Sequence, residues 1–120
     1  MRKTYLIAGV AIALWAGQAS AHARLLHAAP RVGATVAQSP SELRLAFSES
    51  IDPAQSSVSL SGPHGLVALG RLRLDAADKR IAVATVPVRL APGAYRVQWS
   101  VISLDTHHTE GDFRFKVAPD

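Results

Sequence analysis

The chain has 120 residues, with 13 Lys+Arg against 9 Asp+Glu and no cysteine. That length holds one domain. The missing cysteine excludes a disulfide framework, a zinc-thiolate site, an iron–sulfur cluster, a thiol nucleophile and a blue-copper centre. The arginines are dispersed and aromatics make up only 6% of residues, which argues against a nucleic-acid partner.

Residues 1–21 read as a cleaved signal peptide. Arg2 and Lys3 form a basic start, and an apolar run from Thr4 to Gly17 follows. Ala19-Ser20-Ala21 then gives the small-x-small pattern of a cleavage site. The apolar run is short for a membrane span, which takes about 20 residues. Twin arginines are absent, so general secretion is expected, with any metal acquired after export. Residues 22–120 are then the working domain. Without Arg2 and Lys3, 11 basic residues face 9 acidic ones, so the domain is nearly neutral.

Beyond Ala21 the apolar residues alternate with period two, which predicts strands. Leu43, Leu45 and Phe47 share one face, against Glu42 and Arg44. Val58 and Leu60 start a second run. Leu66 to Leu74 gives a third, broken at Gly70, and Arg80 to Val88 a fourth. There Ile81 and Val83 oppose Ala82 and Ala84, and Pro87 is expected at an edge or strand end. Tyr95, Val97, Trp99 and Val101 form the clearest face, against Arg96, Gln98 and Ser100. Phe113, Phe115 and Val117 close the chain. Turn signals separate the runs at Pro30–Gly33, Ser39-Pro40, Asp52-Pro53, Gly62–Gly65, Asp75–Lys79 and Pro92-Gly93. The pattern predicts an all-β domain, a β-sandwich or a small Greek-key barrel.

Cleavage after Ala21 makes His22 the first residue. Its free α-amino nitrogen and its imidazole can then chelate one metal ion together. That amine has a reference pKa of about 7.7–8.0, so a metal can displace its proton near neutral pH. Nitrogen-rich tetragonal coordination suits Cu(II). Near the other end, Asp105 and His107 stand two apart in Ser103-Leu104-Asp105-Thr106-His107-His108. On an extended segment they share a face at roughly 6.5–7 Å, a gap a metal bridges more easily than a direct hydrogen bond. An isolated D-x-H also fits a solvated polar turn. Alternation turns His108 away from the Asp105/His107 face. His27 falls on the opposite parity to His22, and His64 sits in a turn between Pro63 and Gly65.

The chain resembles the CopC family of periplasmic copper-binding proteins. HARLLHAAPRVGATV resembles the family's first strand and Pro-x-x-Gly turn, and LRLAFSESI its Phe-Ser-Glu segment. GAYRVQWSVISLDTHHTEGDFRFKV resembles the C-terminal signature S-x-D-x-H-x-x-x-G, here Ser103, Asp105, His107 and Gly111. The resemblance implies an Ig-like or cupredoxin-like Greek-key β-sandwich or barrel of about seven strands. It implies a periplasmic protein holding one Cu(II) per chain through His22, Asp105 and His107. Glu49 matches an acidic residue near the family's site, either behind the ligands or as a weak axial contact. It implies copper sequestration, resistance or delivery to a CopD-type inner-membrane transporter, by coordination without turnover, and a monomer is expected. Relatives often have proline where His108 stands. Some members carry a methionine-rich Cu(I) segment. Here Met1 is the single methionine, so reduction should weaken binding. Two other readings are a histidine-brace copper monooxygenase and a non-metal Ig-like interaction domain. An equatorial Asp105 disfavours the first, because it stabilises Cu(II) over the Cu(I) that oxygen activation needs.

Overall fold

A computed structural model describes residues 22–120. The signal-peptide segment lies outside the described residues. Nine strands are present: β1 (Leu25–Ala29), β2 (Thr35–Val36), β3 (Glu42–Phe47), β4 (Ser57–Gly62), β5 (Gly65–Val67), β6 (Arg73–Leu74), β7 (Ile81–Thr85), β8 (Gly93–Ile102) and β9 (His108–Val117). A 3-10 turn, Pro53–Gln55, follows Asp52, whose carboxylate accepts from the Ala54 amide at 3.0 Å.

The strands form two open sheets, in the orders β1-β3-β7-β6 and β2-β9-β8-β4-β5. The sandwich expectation holds, and the barrel alternative does not. Alternation alone cannot separate them, because both architectures bury every second residue. The count is nine rather than about seven. The extra strands include two-residue pairings at β2 and β6, too short to show a period. The run Leu66–Leu74 is not one interrupted strand. It supplies β5 to one sheet and β6 to the other, crossing near Gly70, whose amide donates to the Thr85 carbonyl at 2.8 Å.

Leu43, Leu45, Phe47, Leu60, Val97, Val101 and Phe115 fill the space between the sheets, each no more than 1% exposed. β7 inverts a simple reading. Leu45 lies opposite Ala82 and Leu43 opposite Ala84, so the alanines face the core. Val83 faces outward in a row with Arg44 and Arg73, yet is buried. The aliphatic stems of arginines flanking such a position cover it. Their head groups are tied down: Arg44 to Asp75 at 2.6 Å and to Glu42 at 3.4 Å, and Arg73 to Glu42 at 3.3 Å. The strand ends at Thr85, two residues before Pro87, as that proline requires.

β8 and β9 form the longest ladder, from Gly93 opposite Val117 to Ile102 opposite His108. Trp99 packs edge-on against Phe47, with ring centroids 5.2 Å apart. It also covers Gly111 across the ladder, where a Cβ would sit 2.6 Å from Trp99 Cζ2. The Ile102 end of this ladder is where the candidate ligands gather.

Candidate metal centre

The 103–107 connection between β8 and β9 is a tight turn. Ser103 bridges to Ile51, and its amide donates to the His107 carbonyl at 3.0 Å. Thr106 donates its amide to the Ser103 carbonyl at 2.8 Å and has φ +73°. The expected extended segment is therefore not found. The bend brings Asp105 Oδ2 and His107 Nδ1 to 3.2 Å, a direct contact where strand geometry predicted a gap.

Ser103 is 1% exposed, the one buried polar residue among the described residues. Its hydroxyl donates to Asp105 Oδ1 and lies 3.3 Å from the His107 carbonyl oxygen. That donation is the largest cause holding the Asp105 carboxyl below the usual carboxylate range. Partial desolvation opposes it, and His107 adds to the lowering through side chain and backbone.

His22, the first candidate ligand in the chain, arrives by a different route. Ala23 is buried in the core. Thr109 Oγ1, on β9, donates to the Ala23 carbonyl at 2.9 Å. Ser48, just past β3, clamps Arg24 from both sides. Its amide donates to the Arg24 carbonyl at 2.9 Å, and its Oγ accepts from the Arg24 amide at 2.9 Å. The same hydroxyl lies 3.5 Å from the His22 carbonyl. These contacts deliver the His22 ring to His107, with centroids 4.6 Å apart and planes at 72°.

Glu49 is half-buried between the two supports. Ser48 on one side holds the 22–24 segment, and the Ser50 carbonyl on the other accepts from the Leu104 amide at 3.2 Å. His108 is set apart. Its Nε2 lies 2.7 Å from Ser100 Oγ and 3.9 Å from Glu110 Oε1. His27 is exposed past a register shift on β1, and His64 is exposed at the β4–β5 turn.

The structure thus brings together His22, Asp105 and His107, with Glu49 between their supports, and leaves His27, His64 and His108 elsewhere. Among the described residues, no three His, Asp or Glu side chains already converge on one metal position. Asp105 and His107 instead contact each other directly. The fourth expected donor, the His22 nitrogen, is in the 120-residue chain an amide bonded to Ala21. Two donors each about 2 Å from one ion at a right angle stand roughly 3 Å apart. The Asp105–His107 separation already suits that arrangement. Sequence reasoning gave no role to Ser103, Ser48 and Thr109. A hydroxyl two residues before an aspartate at a strand end is a local signal for Ser103. Ser48 and Thr109 act across long sequence separations and leave no local mark.

A two-sheet β-sandwich that sets His22 against a D-x-H turn defines a narrow class. The CopC domain model matches residues 25–118, spanning all nine strands. The chain belongs to the CopC family. Protein YobA of Escherichia coli K12 is 34% identical over 99 residues, covering 81% of this chain and 79% of that one. Copper resistance protein C of Xanthomonas campestris pv. juglandis is 31% identical over 114 residues, covering 90% and 89%. Among solved structures, CopC from Methylosinus trichosporium OB3b superposes with a TM-score of 0.75 at 36% identity, over 82% of this chain and 95% of that one. PcoC, a methionine-rich copper resistance protein from Escherichia coli, superposes with a TM-score of 0.73 at 31% identity, over 81% and 99%. This chain has one methionine, Met1.

Proposed function

We propose that this protein is exported to the periplasm, trimmed after Ala21, and binds one Cu(II) there as cargo. The ligands are the α-amine and imidazole of His22, the Asp105 carboxylate and the His107 imidazole. One observation carries the reading: His22, from the far end of the domain, lies against the same imidazole that Asp105 touches. Three nitrogens and one carboxylate oxygen fit the tetragonal preference of Cu(II), and with no thioether in the trimmed chain nothing favours Cu(I). The names of its copper resistance relatives support a part in copper resistance. The bound ion would be sequestered or delivered to a CopD-type membrane transporter. The protein's work is coordination as a monomer, with no turnover.

Mass spectrometry of the exported protein, with and without Cu(II), tests this directly. The expected result is a chain beginning at His22 that gains one copper. A chain retaining residues before His22 that still takes up copper undiminished overturns the reading. In a variant with one alanine added before His22, Cu(II) affinity should fall by orders of magnitude.

A further inference from the structure

We infer that Ser103 is a positioning residue that makes Asp105 a one-oxygen ligand. This rests on the ligand set proposed above. The two carboxylate oxygens of Asp105 have different partners. Oδ1 takes the Ser103 hydroxyl, and Oδ2 faces His107 Nδ1 at 3.2 Å. Ser103 cannot turn away to water, because it is buried and fixed by backbone bonds on both sides of the turn. Its alternative acceptor, the His107 carbonyl at 3.3 Å, belongs to the same turn. Oδ1 is therefore turned to the buried hydroxyl, and Oδ2 is the oxygen presented to the His107 imidazole.

A carboxylate held this way keeps its orientation whether or not an ion is present. It offers a single anionic oxygen, which leaves other equatorial positions for nitrogen. It also denies the bidentate grip that calcium sites draw from a carboxylate. Partners of ligands commonly contribute about 10–100-fold in metal affinity through such orientation.

The test is a double-mutant cycle on the trimmed protein, with Ser103→Ala, Asp105→Ala and the pair. Cu(II) affinity is read by chelator competition and the coordination sphere by EPR. Far-UV circular dichroism checks that each variant is folded. Ser103→Ala should weaken Cu(II) binding about 10–100-fold and shift the EPR parameters. In the Asp105→Ala background, Ser103→Ala should change affinity little, because its effect passes through the carboxylate. Ser103→Thr, which keeps the hydroxyl, should retain the parental EPR signature. If Asp105→Ala weakens binding but Ser103→Ala leaves affinity and EPR unchanged, the role of Ser103 is overturned alone. The same holds if the two losses simply add. If Asp105→Ala itself leaves Cu(II) binding intact, the ligand set is overturned and this inference with it. Should Ser103→Ala not fold, the Ser103→Thr spectrum decides: altered EPR parameters in a folded variant with its hydroxyl count against the assignment.

Discussion

At the scale of single residues, what matters is which atom each histidine has available. His107 lies against both His22 and Asp105, whereas His108 faces Ser100 on β8 and Glu110 on β9. His107→Ala should therefore weaken Cu(II) binding by orders of magnitude, and His108→Ala by less than threefold, in the same chelator competition. The reverse ranking would reassign the ligand. Trp99 is the sole tryptophan once residues 1–21 are removed, so its fluorescence offers a second readout. The identities of Asp105 and His107 were legible in the sequence, but their contact was not. S-L-D-T-H has one apolar residue and so no period to read, and no glycine or proline marks the turn. The bend rests on Thr106 at positive φ, a conformation that threonine rarely adopts and composition does not announce.

At the scale of elements, β8 and β9 were readable because each buries one clean face. β7 was not, since arginines from neighbouring strands cover its outward valine. A window of sequence cannot see that cover. The cover has a consequence for acid stability. Arg44, then backbone amides of the Asp75 turn, hold the Asp75 carboxyl below the usual carboxylate range. A lowered native pKa means that this stability is fully present above the ordinary value. It is lost as pH falls through the depressed one. Asp75→Asn should lower the melting temperature at neutral pH and flatten its fall on acidification, measured by thermal denaturation from pH 7 to pH 2. An equal fall in both proteins would place the acid sensitivity elsewhere. On the β8–β9 ladder, Gly111→Ala should cost about 1–3 kcal/mol, because the added methyl meets the Trp99 ring. Chemical denaturation measures it, and an unchanged midpoint would mean that the ring yields freely.

At the scale of the whole molecule, the site joins the two ends of the domain. Its assembly depends on Thr109 and Ser48 holding residues 22–24 against β9 and β3. Thr109→Val removes one of these bonds while keeping the side chain's shape. Global stability should fall by about 0.5–1.5 kcal/mol. Cu(II) affinity should fall with it, by more than tenfold, because His22 loses its fixed approach. Stability loss with unchanged affinity would show that the N-terminal segment finds its place without Thr109. Copper affinity should also fall steadily from pH 8 to about pH 5, as protons compete for the amine and the imidazoles. A flat titration would exclude those donors.

Among the described residues, the bonds that dock residues 22–24 engage the His22, Ala23 and Arg24 carbonyls and the Arg24 amide. These bonds leave the His22 nitrogen to the proposed cleavage. Peptidase action on this chain would then change chemistry without changing shape, creating an amine at a place already built to receive it. If the proposed trimming occurs, full metal capacity would come only on release, and the untrimmed form would compete for copper with its imidazoles and carboxylate alone.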